Sequence, residues 1–266
     1  DEVLEAKLQE LRHLADSVAT ERPRRAISFE ILFFDPKTVV SYCSPSYTRQ
    51  LLAEYGAVIQ WTLESIMNVT LSGDAWEQST LPVANGGIGV RRTSDVALPA
   101  YLSSVASSRA LVIQLLPPSL HEISGIYEPN FTAAVSEWQV RTGVTSVQQS
   151  LPTEQKVWDA PLVKAQEAKV SAAAADQAGK ARLTAASAPH SRAFLHARPC
   201  ASLGTRLDNS SLRIAVALRL GAPVCLPHTC VCGAPVDNTG RHGLSCRKSA
   251  AVLHVVTQST NSSNVR

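Results

Sequence analysis

Aromatic side chains are scarce. Phe, Trp and Tyr make up 5% of the 266 residues, while apolar residues of all kinds reach 45%. A core drawn mainly from alanine, leucine and valine favours small-residue helix packing over a β-sandwich. No uninterrupted apolar run has the length of a membrane span, so no membrane partner is expected. The first residues, Asp1-Glu2-Val3-Leu4-Glu5, are acidic and lack the apolar segment of a secretory leader. The glycines of Asn85-Gly86-Gly87-Ile88-Gly89 lack the Lys and Ser/Thr of a phosphate loop. They read instead as a tight turn where backbone passes close to a neighbouring element. His190, Ser191, His196 and Cys200 lie close in sequence, but no serine sits in a Gly-x-Ser-x-Gly elbow, which argues against a covalent hydrolase. The chain opens at Asp1 rather than Met, which leads us to expect a fragment.

Cysteine is present in one informative place. Of the six, Cys230, Cys232 and Cys246 fall within residues 230–246, together with His242. Two thiols one residue apart, followed by a His/Cys pair with three residues between, supply four ligands for one tetrahedral Zn2+. The segment between the halves contains Gly233, Pro235, Asp237, Asn238 and Gly240, which suit a chain reversal. The spacing of the first pair is tighter than the usual two to four residues. Cys225 and His228 are spare donors, and the alternative is a loop of reduced thiols with a surface histidine. With no leader, clustered cysteines fit a reducing compartment, nuclear or cytoplasmic, and metal rather than disulfides.

Net charge is +3, unevenly spread. From Lys180 to Arg266 eleven Lys/Arg face only Asp208 and Asp237, a net +9, so residues 1–179 carry −6. A basic end on an acidic body suits a partner such as RNA or DNA. The cations singled out for phosphate are Arg206, Arg213, Arg219, Arg241, Arg247 and Lys248.

Periodicity predicts a mainly α chain. Residues 1–19 form an amphipathic helix through Leu4, Leu8 and Leu11, residues 26–34 a second, and a third opens at Pro45 with Leu52, Tyr55, Ile59 and Leu63 on its apolar face. Asp74 is a cap for a short helix over 75–80. Residues 93–105, 109–116 and 131–140 give further helices, and Pro99 stands near enough to a helix start to be tolerated. Residues 153–181 are alanine-rich and charged, and read as an exposed connecting helix ending at a hinge near Ala181. Asp208 or Asn209 caps a helix over 212–220, ended by Gly221, with its arginines left for solvent or phosphate. The division that follows is 1–145 body, 146–181 connector, 182–248 basic segment with the Cys/His cluster, and 249–266 disordered tail.

Three stretches in order carry a resemblance. Trp76-Glu77-Gln78-Ser79-Thr80-Leu81-Pro82, followed by Gly86-Gly87-Ile88-Gly89-Val90-Arg91, resembles the segment just after the polymerase core of non-LTR retrotransposon reverse transcriptases. Ser211-Leu212-Arg213-Ile214-Ala215-Val216-Ala217-Leu218-Arg219-Leu220-Gly221 resembles the helix before the knuckle in one group of these open reading frames. His228-Thr229-Cys230-Val231-Cys232-Gly233 with His242-Gly243-Leu244-Ser245-Cys246 resembles their Cys-Cys-His-Cys knuckle. The resemblance implies a helical thumb-like body and a small zinc-knuckle-like C-terminal segment, with palm and fingers upstream of Asp1. Such polymerases hold two magnesium ions on an Asp-Asp turn. This sequence has no Asp-Asp pair; Asp35, Asp74 and Asp95 stand singly. The family-like pattern stops at about Lys248. The expectation is therefore a truncated, non-catalytic fragment of an RNA-directed DNA polymerase that binds zinc and RNA or DNA. The alternative is a functionless or unstable helical remnant.

Overall fold

A computed structural model of the chain describes residues 5, 6, 8–10, 12, 13, 45–115, 117, 124–145 and 151–248. The expected helix over 26–34 and the tail beyond 248 lie outside these residues; those described between 5 and 13 are helical. The architecture is mainly α. In chain order the elements are α1 (Pro45–Met67), α2 (Gly73–Ser79), a 3-10 turn (Val83–Asn85), α3 (Thr93–Leu115), α4 (Ser124–Thr142), α5 (Gln155–Ala173), α6 (Gln177–Ser187), α7 (Ala193–His196), α8 (Asn209–Leu220), β1 (His228–Thr229), β2 (Pro235–Val236) and α9 (His242–Ser245).

Among the described residues, two large apolar cores and a small contact of Leu52 with Ala97 hold these elements. Leu52, Tyr55, Ile59, Leu63 and Met67 recur every three or four residues along α1, as a one-sided helix requires. Tyr55 through Met67 pack with Leu71, Ala75, Ile88 and Val90, and this core is completed by Val216, Ala217 and Leu220 from α8 and by Leu8. The expected body and basic segment thus share one interior. The second core joins Leu98, Tyr101 and Leu102 of α3 to Phe131, Ala134 and Trp138 of α4 and to Trp158 and Leu162 of α5. Trp138 and Trp158 meet edge to face, with centroids 5.1 Å apart. Both indoles are satisfied: Trp138 Nε1 donates to Trp158 O and Trp158 Nε1 to Pro152 O.

Helix α5 therefore corrects the reading of residues 153–181 as an exposed connector. Trp158, Leu162, Val163 and Val170 are buried along one side of the helix, and the remaining surface carries most of the alanine and charge that dominate the composition. The expected hinge near Ala181 is also displaced. Residues 177–187 are one helix, and the break falls at Ala174–Asp176, where Asp176 Oδ1 caps Gly179 N. Residues 93–115 are one helix rather than two, with Pro99 buried in its second turn. By length and composition α3 is apolar enough to cross a membrane, although Val96–Ser103 is its buried portion here. The cap of α2 is Ser72, whose Oγ accepts from Ala75 N at 3.2 Å; Asp74 instead lies in the first turn, where the helix dipole favours it.

The glycine turn is a close backbone approach, as its composition suggested. Gly86 takes φ +88°, and a Cβ on Gly87 would stand 2.0 Å from Leu81 O. Ile88 N and Val90 N both donate to Ser79 O, so the extended piece hangs from the end of α2.

This turn is bolted to the C-terminal end of α8. Gln78, buried, donates from Nε2 to Gly86 O at 2.9 Å and to Arg219 O at 3.0 Å. Arg219, also buried, donates from Nε to Gly87 O (2.9 Å), from Nη2 to Val83 O (2.8 Å) and from Nη1 to Ser191 O (3.3 Å). Its burial corrects the expectation that Arg219 is left for phosphate: the guanidinium is spent on backbone carbonyls. Removing it leaves the buried Gly87 carbonyl and the partly buried carbonyls of Val83 and Ser191 without this donor, so Arg219→Met is expected to lower unfolding free energy by about 3 kcal/mol. Gly87→Ala is expected to cost at least about as much, through steric overlap. Urea denaturation of each variant checks both; native-like midpoints would contradict this packing.

Candidate metal centre

Residues 228–246 build one compact unit from two short devices. The first is the hairpin: β1 and β2 pair antiparallel with His228 opposite Val236 and Thr229 opposite Pro235. Its tip is a tight turn in which Cys230 N donates to Ala234 O and Gly233 N to Cys230 O. Gly233 sits at φ +91°, a conformation open to glycine without the Cβ penalty. This turn is what lets a single intervening residue, Val231, separate two ligands that face the same side.

The second device is the single turn α9. His242 and Cys246 are four residues apart, with Cys246 N donating to His242 O, so both project from one face. A turn over 237–240 delivers the helix to the hairpin: Asp237 Oδ1 accepts from Thr239 N and Oγ1, and Gly240 N donates to Asp237 O. Asn238 O accepts from Val224 N and Cys225 N, tying the unit to the segment after α8.

The ligand atoms of Cys230, Cys232, His242 and Cys246 all lie within 4.8 Å of one another and could hold a metal ion. Cys230 Sγ and Cys246 Sγ are 3.7 Å apart; Cys232 Sγ and His242 Nε2 are 3.1 Å apart. Sulfurs about 2.3 Å from a tetrahedral centre are separated by about 3.8 Å, so the thiol pair already has the edge length of such a site. The thiols are free rather than oxidised. The Cys232 backbone N–H, then the thiols of Cys232 and Cys246, hold Cys230 below its ordinary pKa, against the opposing effect of burial. For Cys246 the Lys248 amide favours thiolate, but burial and the neighbouring Cys230 and Cys232 outweigh it and push the group up. Crowded sulfurs of this kind resist carrying charge together, and a cation between them removes the conflict.

The spare donors point elsewhere. Cys225 Sγ lies 3.4 Å from Asp237 O, and His228 Nδ1 meets Leu226 O at 2.8 Å. Neither belongs to the cluster found among the described residues.

The cations expected around the site divide into three groups. Arg206, Arg247 and Lys248 are exposed. Arg213 is half-buried with Nε donating to Ile66 O, and Arg241 is half-buried 3.7 Å from Asp176 Oδ2. Arg219 is interior, as described above. Sequence reasoning passed over Lys180, Arg192 and Arg198, which are exposed and contribute to the same charge excess. Between residues 197 and 248 there is no Phe, Tyr or Trp.

No protein-family model matches the chain, and neither a curated protein nor a solved structure matches it.

Elemental analysis of the purified chain is expected to find one bound metal ion per molecule, and Cys232→Ser to lose most of it, since three ligands bind far more weakly than four. Chelation should lower the thermal midpoint while leaving far-UV helicity almost unchanged, because only α9 belongs to the unit. Metal-free wild-type protein with an unaltered midpoint after zinc addition would refute the site.

Proposed function

We propose that this chain is a non-catalytic, reverse transcriptase-related retroelement protein that binds RNA or DNA through a zinc-stabilised basic C-terminal unit. The observation that carries the reading is the convergence of Cys230, Cys232, His242 and Cys246 beside exposed Arg247 and Lys248. Three thiols and an imidazole are the ligand types of structural zinc. With four protein ligands the ion keeps no open position for water, so its work is to hold the hairpin against α9. Cations around that rigid unit meet phosphates. The lack of aromatic residues from 197 to 248 makes base stacking a minor contribution and backbone charge the major one. The sequence has no Asp-Asp pair for a two-magnesium centre, which supports the non-catalytic reading. Free thiols fit a reducing location, nuclear or cytoplasmic.

A second reading, a helical remnant unstable in isolation, draws support from the exposed end of α3, where Leu111, Ile113 and Leu115 are 56%, 40% and 74% accessible. A single cooperative thermal transition without aggregation sets it aside.

Binding of a single-stranded oligonucleotide, followed by fluorescence anisotropy, is expected to weaken linearly with log salt. Each phosphate contact contributes a slope of about −0.7. The double variant Arg247→Ala/Lys248→Ala should lose about two such contacts and flatten the slope by about 1.4, with little dependence on base sequence. A slope near zero, or no binding, would overturn the reading.

A further inference from the structure

A cavity of about 480 Å3 lies where α6, α7, α8 and the Cys/His unit meet. Its basis in the sequence is a repeated spacing. Ala178, Ala181, Arg182 and Ala185 line it from α6. Ala215, Leu218, Arg219 and Ala222 line it from α8 and the residues just beyond. Residues spaced in this way share one helical face, so each side presents small apolar groups broken by one arginine. Alanine side chains are too short to close the space between two helices, which leaves a gap beside a packed core. Phe194 of α7 and Leu244 of α9 add the larger apolar groups. The volume lies in the range of small-molecule sites, which are mostly apolar with a few placed polar groups.

The polar groups here are cationic. Three guanidiniums line the cavity, those of Arg182, Arg219 and Arg241, and no carboxylate does. Arg219 donates to backbone carbonyls, and Arg182 to Gln78 Oε1 and Arg219 O; these are neutral acceptors that cancel no charge. Two acids stand nearby. Asp176 Oδ2 is 3.7 Å from Arg241 Nη1, beyond hydrogen-bond length, and its Oδ1 caps Gly179 N. The Thr239 hydroxyl holds the Asp237 carboxyl below its ordinary pKa, against burial, with Arg241 a lesser help. Three cations against two acids leave one positive charge unmatched. Arg241 is the reachable one: 37% of its side chain is accessible, and its one ion pair among the described residues is the long one to Asp176.

An apolar cavity with a single surplus cation at its wall suits a ligand with an apolar body and one negative charge. A guanidinium fork matches a carboxylate in two parallel hydrogen bonds. A nucleobase would bury its edge donors and acceptors against alanine, whereas an alkyl chain has none to lose. We propose that this cavity binds a small amphipathic acid, its alkyl chain among Ala181, Ala185 and Leu218 and its carboxylate on Arg241. This goes beyond the nucleic-acid reading, which rests on the exposed Arg247 and Lys248.

Sodium octanoate is the probe, titrated by calorimetry into the full chain. One saturable site is expected. Acetate, which lacks the chain, and octan-1-ol, which lacks the charge, are each expected to bind at least about tenfold more weakly. Arg241→Gln is expected to weaken octanoate about tenfold. Its metal content is measured alongside, so that damage to the Cys/His unit is read separately. Ala185 is exposed and leucine suits a helix, so Ala185→Leu is expected to keep the wild-type thermal midpoint while filling the cavity and abolishing octanoate binding. No saturable site, octan-1-ol bound as tightly as octanoate, or full affinity in either variant would overturn the proposal; octanoate that still binds Ala185→Leu sits elsewhere, as on the exposed end of α3. If octanoate does not bind but Ala185→Leu abolishes oligonucleotide binding or dissociates a dimer, the cavity belongs to a nucleotide or to a second copy, and the proposal is equally overturned.

Discussion

The buried guanidinium of Arg219 is the constraint on which the arrangement of the two ends depends. It lies in the interior with no carboxylate paired to it among the described residues, and burial holds its pKa below the ordinary value. A charge in that position is tolerable only when its donors are met. Here the carbonyls of Val83, Gly87 and Ser191 meet them. Arg182 adds a second partly buried cation, donating to Gln78 Oε1 and Arg219 O. Its pKa is lowered by burial first and by Arg241 second, with Asp176 opposing. Arg182 donates to the Arg219 carbonyl at the C-terminal end of α8, where the last carbonyls and the helix dipole carry partial negative charge. For Arg182 that end of the helix takes the place of a carboxylate, whereas Arg219, in the last turn of α8, is met by carbonyls from other segments.

The consequence reaches the Cys/His unit. Helix α8 is pinned at its C-terminus by Gln78 and Arg182, and closes with Gly221 at φ +69°. A Cβ there would meet the Arg182 guanidinium at 2.8 Å, so the cap and the network are one feature. The chain then leaves α8 in a fixed direction, and Ala222 and Val224 pack on the first core before the hairpin begins. The Cys/His cluster therefore stands on the body rather than swinging from it. Arg241, within hydrogen-bonding neighbourhood of that unit, adds a weak ion pair to Asp176 at 3.7 Å.

Charge is used in three distinct ways across the molecule. In the interior, Arg219 and Arg182 serve as multi-donor clamps on backbone. At the junction of α2, α3, α4 and α5, cations and carboxylates interlock, and Arg92 also lies over the Trp76 ring at 5.8 Å. On the C-terminal surface, Arg192, Arg198, Arg206, Arg247 and Lys248 face solvent. A formal charge count treats all of these alike, which is why the basic excess of the C-terminal third overstated how much of it is available to a partner.

Much of this was legible in the residues. The helical class follows from apolar periodicity in Leu52, Tyr55, Ile59 and Leu63; the cap Asp208 and the stop Gly221 follow from their chemistry; the convergence of Cys230, Cys232, His242 and Cys246 follows from spacing, because a short hairpin and one helical turn are local structures that need no distant partner. The close approach at Gly87 was likewise written in a run of small residues. What sequence could not supply was the identity of neighbours. Trp158 turned an alanine-rich segment into core because α3 and α4 bring Tyr101, Phe131 and Trp138 to meet it. Arg219 became an interior clamp because residues more than a hundred positions earlier place carbonyls around it. Local hydrogen bonding and side-chain period are properties of a short stretch, whereas burial of a charge is settled only by which distant backbone arrives to replace its water.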